Sequence, residues 1–125
     1  MNHTTYLLTI SFISIELLWV APELLPLTII PGTPATQKGD VYSFAIILEE
    51  IVVRGGPYES IRQYMNPTAI IERVAAHESP PFRPFVGERD CPPDLLDLME
   101  KSWCDNPDDR PTFSNIRSTI GCIMK

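Results

Sequence analysis

Residues 38–54 (KGDVYSFAIILEEIVVR) constrain the fold more than any other stretch of the chain. Apolar side chains recur at Val41, Phe44, Ala45, Leu48, Ile51 and Val52, the i, i+3, i+4, i+7 rhythm of a helical face. Ile46, Ile47 and Val53 carry the apolar surface round to the other side, leaving polar residues only a narrow flank. A helix of that kind belongs inside a domain, because no face of it is suited to water. Asp40 stands where a cap or first-turn carboxylate meets free N–H groups and the positive end of the helix dipole. Gly55-Gly56-Pro57 ends the helix, since two glycines release the chain and proline cannot continue it. The expectation is a mainly α chain built around one buried central helix.

A chain of 125 residues holds one modest core. Its 13 prolines cut the remaining helices short. A net charge of −6 and the lack of any Lys/Arg cluster argue against nucleic acid and against an anionic membrane surface. Cys91, Cys104 and Cys122 form no C-x-x-C pair, and only His3 and His77 could join them on a metal, so no zinc site is expected. Scattered thiols in odd number fit a reducing compartment, where they act as small hydrophobes.

Residues 6–20 (YLLTISFISIELLWV) are apolar but short, and Glu16 interrupts them. A span needs about 20 apolar residues, so no membrane span is expected here. No basic residue precedes the run and Trp19 occupies the −3 position of a cut after Ala21, which also weighs against a signal peptide. Asn2-His3-Thr4 matches a glycosylation acceptor that matters only in a secreted protein. Pro22 suits the first turn of a short helix, and residues 26–37 read as a loop. Residues 57–65 read as loop again. Asn66-Pro67 then opens a helix with Ile70, Ile71, Val74 and Ala75 on one face, ended by Pro80-Pro81. A further helix from Pro92-Pro93-Asp94 buries Leu95, Leu96, Met99 and Trp103 and turns Asp97, Glu100 and Lys101 outward. After a polar loop at 105–111, Thr112 caps a last helix with Phe113, Ile116 and Ile120 on one side.

Trp19-Val20-Ala21-Pro22-Glu23, then Lys38-Gly39-Asp40-Val41-Tyr42-Ser43-Phe44, then Trp103 and Pro107-x-x-Arg110-Pro111 occur in an order that resembles the C-terminal lobe of protein kinases. Within that fold the chain is most similar to the kinase homology domain of receptor guanylyl cyclases. Residues 36–47, 52–58 and 106–113 carry the likeness, which runs from about 17 to 120. The division implied is an atypical N-terminal segment at 1–16, a kinase-like C-lobe segment at 17–120 and a tail at 121–125. The resemblance pairs Glu23 with Arg110; on the residues alone both read equally well as solvated charges. A buried pair loses roughly 3–5 kcal/mol when one partner goes, a surface pair about 0–1. For Asp40 the resemblance implies a bond to the catalytic-loop backbone, and the plain reading is a helix-end carboxylate. Glu23, Arg110, Asp40 and Trp103 are the structural residues expected to matter.

Phosphoryl transfer requires a glycine-rich loop, a phosphate lysine, a catalytic aspartate and a metal-holding aspartate. The sequence contains no G-x-G-x-x-G, no H-R-D-L-x-x-x-N and no D-F-G, and Glu88-Arg89-Asp90 is followed by Cys91-Pro92-Pro93. Asp105, Asp108 and Asp109 lack the spacing of a calcium loop. Glu49-Glu50 and Asp94/Asp97 read as solvated helix faces. No catalytic, cofactor-binding or metal-binding residue is therefore expected. The resemblance implies a non-catalytic piece of a regulatory domain on the cytoplasmic face of the plasma membrane, while the chain alone would be cytosolic. In the parent, ATP is an allosteric ligand, and the partners are the rest of the kinase-like domain and a following cyclase domain, with dimerisation. Two other readings stand beside it: the rear half of an active tyrosine-kinase-like enzyme, and a truncated product without function of its own. Ala45 and Glu49-Glu50, where active kinases carry glycine and Trp-Glu, favour the regulatory reading.

Overall fold

A computed structural model describes residues 15–25 and 35–125. The apolar run before Ile15, the Asn2 acceptor and the loop at 26–34 lie outside these residues. Four helices organise the rest: α1 (Gln37–Val53), α2 (Pro67–Ala75), α3 (Pro93–Ser102) and α4 (Phe113–Ile123). Short 3-10 turns at Glu16–Trp19, Pro22–Leu24 and Pro107–Asp109 join them, and no strand occurs among the described residues.

Helix α1 lies at the centre. It packs along α3 and also meets the Glu16–Trp19 and Pro107–Asp109 turns, while α4 packs on α3. Helix α2 closes the opposite end against the two N-terminal turns. The main core joins Leu17, Leu18 and Leu25 to Tyr42 and Ile46 of α1, Ile70 and Ile71 of α2, and Met99 and Trp103. A smaller cluster of Val41, Leu98 and Ile116 ties α1 to α3 and α4, and Phe44 meets Phe113 edge-on at 6.1 Å between ring centroids.

Local chemistry explains the helix starts. Thr36 caps α1 by accepting from the Gly39 N–H at 2.9 Å, Asn66 caps α2 through Ala69 at 2.8 Å, and Thr112 caps α4 through Asn115 at 3.1 Å. Each satisfies a backbone donor that the first turn leaves unpaired. Asp40 is thus the first-turn carboxylate of α1 and not its cap. Gly39 is required by crowding: a Cβ there would fall 2.6 Å from Leu24 Cδ1 and 2.8 Å from the capping Thr36 Oγ1.

Three sequence expectations are corrected. The buried stripe of α1 is Val41, Tyr42, Ala45, Ile46 and Glu49, whereas Ile51 is 66% exposed. Apolar residues on every side gave the pattern no direction, and packing against the Tyr42 face chose it. On α3, Leu98 is buried while Leu95 and Leu96 are only half-buried, because Leu98 sits where α1, α3 and α4 meet. Helix α1 also ends one residue earlier than its glycines suggest: Arg54 takes the left-handed conformation (φ 58°, ψ 44°) and donates its N–H to the Glu50 carbonyl. Residues 57–65 are wound into turns that bury Tyr58 and Ile61.

A left-handed residue with a Cβ costs about 1–2 kcal/mol, partly offset in glycine by its looser unfolded chain. Arg54→Gly is expected to raise stability by about 0.5–1 kcal/mol, read as a higher midpoint in urea; a lower midpoint would show that Arg54 stabilises this helix end through its side chain.

Candidate functional site

The most connected polar group in the described structure is Arg110, held by the turn at Pro107–Asp109 and only 2% exposed. Asn106 shapes that turn by accepting from the Asp108 N–H at 3.0 Å. The Arg110 guanidinium donates from Nη1 and Nη2 to the two carboxylate oxygens of Glu23, at 2.8 and 2.7 Å. Its other N–H groups reach three carbonyls: Nε to Cys104 (2.9 Å), Nη1 to Lys38 (2.9 Å) and Nη2 to Asp105 (3.3 Å). All five donors are therefore used, which is what makes a buried guanidinium tolerable. Lys38 returns the contact by donating Nζ to the Arg110 carbonyl. Glu23 is the middle residue of a 3-10 turn whose Pro22 presets the backbone, so the chain presents this carboxylate from a rigid corner.

Tyr42 of α1 is fully buried beneath this junction. The Arg110 guanidinium lies 5.3 Å from its ring centroid and that of Arg83 lies 5.1 Å away. Arg83 donates Nε to the Trp103 carbonyl at 2.6 Å, Nη1 to the Phe82 carbonyl at 2.8 Å and Nη2 to Asp105 Oδ1 at 3.3 Å. Asp105 also meets His77 Nδ1 at 2.7 Å. Burial raises the Tyr42 phenol, against the pull of the two arginines, and raises Tyr58 further. The two hydroxyls are near enough to influence each other, but neither completes a hydrogen bond of good geometry.

The four residues singled out from sequence divide cleanly. Glu23 and Arg110 meet as a bidentate pair. Trp103, 5% exposed, packs in the main core and offers its carbonyl to Arg83. Asp40 is exposed and meets neither of them. Sequence reasoning missed Arg83, whose proline-rich surroundings gave no signal. It also missed Trp19 Nε1 donating to Glu50 at 2.5 Å and Ser43 donating to the Trp19 carbonyl at 2.6 Å, which clamp the N-terminal turn onto α1.

Glu49 overturns a reading. Expected on a solvated face, it is 1% exposed, and its Oε2 has no hydrogen-bond partner. Burial raises its carboxyl to about 7; the Tyr58 backbone opposes this, and the charges of Glu50 and Glu59 add to it. A signal existed, since Glu49 lies three, four and seven positions after Ile46, Ala45 and Tyr42, on the stripe they define.

Among the described residues no cluster of three or more His, Cys, Asp or Glu side chains could hold a metal, and no helix is long and apolar enough to cross a membrane. Cys91, Cys104 and Cys122 are free thiols, and burial raises the first two.

A short-helix bundle clasped around one central helix by a buried arginine and its half-buried glutamate partner is the helical lobe of a protein kinase-like domain. Residues 3–120 match the sequence model of the family described as protein tyrosine and serine/threonine kinase, and the chain belongs to that family. Within it the chain is homologous to receptor guanylyl cyclases. It is 42% identical over 103 residues to atrial natriuretic peptide receptor 2 of Rattus norvegicus, covering 82% of this chain and 10% of that protein. Retinal guanylyl cyclase 2 of Rattus norvegicus is 43% identical over 103 residues (81% and 9%). The receptor-type guanylate cyclase gcy-28 of Caenorhabditis elegans is 38% identical over 120 residues (88% and 9%). The chain thus spans about a tenth of the length of these relatives.

Arg110→Ala would leave the half-buried Glu23 without its partner and remove the donors to the Cys104 and Asp105 carbonyls. A loss of about 3–5 kcal/mol is expected in denaturant unfolding. Arg110→Lys should recover little of it, because an ammonium has three donors and no fork. An unchanged midpoint for the alanine variant would contradict the buried-pair account.

Glu49 gives a pH signature. Below about pH 4.5 its carboxyl is protonated folded and unfolded alike. Between 4.5 and about 7 the folded state keeps the proton that the unfolded state releases, so rising pH favours unfolding. Above 7 the full difference remains, at most about 3 kcal/mol and less where water screens the group. Glu49→Gln should therefore be no more stable than the parent at pH 4 and more stable at pH 8, measured by urea midpoints. Parallel pH profiles for the two proteins would refute this.

Proposed function

We propose that this chain is the helical part of a regulatory kinase homology domain in a receptor guanylyl cyclase, where it transmits signal by packing and performs no chemistry. The observation that carries the reading is the Arg110 junction. It joins the N-terminal turn, the start of α1, residues 104–105 and the turn before α4 through one side chain, so displacement of one is felt by the others. The homology to atrial natriuretic peptide receptor 2 and the retinal cyclase supports a place in cyclic GMP signalling. In this reading the segment lies on the cytoplasmic face of the plasma membrane. It contacts the remainder of its kinase-like domain and a cyclase domain, in a dimeric parent.

ATP is the allosteric ligand of the parent domain in this proposal, but the residues present do not fit it. One described cavity, of about 590 Å³, is lined by Glu88, Asp97 and Glu100, which repel a polyphosphate. In another, of about 570 Å³, Arg83 is the one cation, and it is committed to two carbonyls and Asp105. Nucleotide contacts would come from other parts of the parent.

The test is a chimera in which residues 17–120 replace the matching segment of the rat atrial natriuretic peptide receptor 2. Peptide-stimulated cyclic GMP synthesis is expected to persist, and to fall at least fivefold when Arg110→Ala is added at equal surface expression. A well-expressed chimera without stimulated synthesis would overturn the regulatory role. Phosphotransfer from ATP by the isolated chain would overturn the non-catalytic one.

A further inference from the structure

A second site lies away from the arginine junction, where the end of α1 meets the turns at 57–65 and the segment at 82–90. A cavity of about 270 Å³ opens there, lined by Glu49 and Val53 of α1, Glu59, Ser60 and Gln63 of the turns, and Phe85 and Asp90. The decisive feature is Glu49, which is 1% exposed, lines the cavity and holds an oxygen with no partner in the protein. A buried acceptor left unpaired costs about 1–3 kcal/mol, so a donor that reached Glu49 as the side chains covering its oxygen moved aside would be favoured. The other two acids each spend one named oxygen locally: Glu59 Oε2 accepts from Gly56 N–H at 2.8 Å and Asp90 Oδ2 from Gly87 N–H at 2.7 Å. Those bonds fix both carboxylates in place around the opening.

The chemistry of the occupant follows by elimination. Three carboxyl groups around one cavity in a chain of net charge −6 select a cation. They do not approach closely enough to form a metal cluster, which leaves an organic cation carrying several N–H donors. Phe85, 69% exposed, offers an aromatic face at the mouth, on which a guanidinium stacks well. The volume is below the roughly 300–1,000 Å³ of pockets for drug-sized ligands, and suits one side chain. Phe85 also lines the neighbouring cavity, where Pro80, Pro81, Pro84 and Trp103 form an apolar track beside the acidic hole and Arg83 and Glu100 are its charged members. A free amine would use only the hole; a peptide would use both.

We propose that this cavity binds an arginine side chain of a partner polypeptide, with an adjacent apolar residue lying on the proline-lined track beyond Phe85. Binding is read by nuclear magnetic resonance titration of the full chain with the peptide Ac-Gly-Arg-Leu-Gly-NH2. Saturable shifts are expected at Glu49, Gln63, Phe85 and Asp90, with affinity at least tenfold weaker in Glu49→Gln and in Asp90→Asn. Asp90 is exposed, so its variant keeps the test valid should the buried substitution perturb folding. Replacing arginine by citrulline should abolish the shifts. Equal binding of the citrulline peptide, or binding unaffected by both variants, would overturn the site. Agmatine binding as tightly as the peptide would overturn the assignment to a polypeptide partner.

Discussion

One guanidinium holds the parts of this molecule in register. Arg110 spends two N–H groups on Glu23 and three on the carbonyls of Lys38, Cys104 and Asp105. The carboxylate lies 87 positions earlier in the chain. An isolated buried ion pair offers little net stability, because desolvation consumes most of the Coulombic gain. The junction differs in that the same guanidinium also donates to backbone carbonyls at the start of α1 and just after α3, so one side chain ties three parts of the chain together. Its contribution is therefore as much to geometry as to energy: lysine could neutralise Glu23 but could not reach the same set of acceptors.

Tyr42 links that polar junction to the hydrophobic core. Its ring lies within 5.3 Å of both Arg83 and Arg110, while its neighbours Ala45 and Ile46 continue the buried stripe of α1. Two cations that would repel each other in water are each neutralised on their far side, by Asp105 and by Glu23. The Tyr42 ring, which both guanidinium groups approach, lowers the cost of burying them. The central helix is thus gripped from both ends of its chemistry: dispersion contacts on the Ile46 side and charge on the Tyr42 side.

Much of this was legible in the residues. Three of the four helices begin at a Thr or Asn whose side chain caps the first turn, and the Pro-Pro steps mark where helices cannot continue. The Glu23–Arg110 contact was reachable only through resemblance, since no periodicity connects positions so far apart. What the sequence concealed was the rotation of α1. With apolar side chains at Ile46, Ile47, Ile51 and Val52 alike, the choice of buried face was left to tertiary packing, which set Glu49 inward and Ile51 outward. Arg83 was hidden for a different reason: it sits in extended chain between prolines, where no repeating geometry predicts which way a side chain points.

The two buried charges of α1's surroundings are treated in opposite ways, and the contrast separates architecture from recognition. Arg110 has every donor satisfied, as a group fixing structure should. Glu49 is as deeply placed, yet it keeps an oxygen unpaired and borders an opening. A carboxyl that served packing alone would be better replaced by glutamine or leucine, since burial without a partner opposes folding. Its cost of burial falls at the end of the same helix whose other end is locked by the arginine. A partner that met Glu49 would therefore act on α1 directly, and through α1 on the junction that Lys38 and Tyr42 share with Arg110.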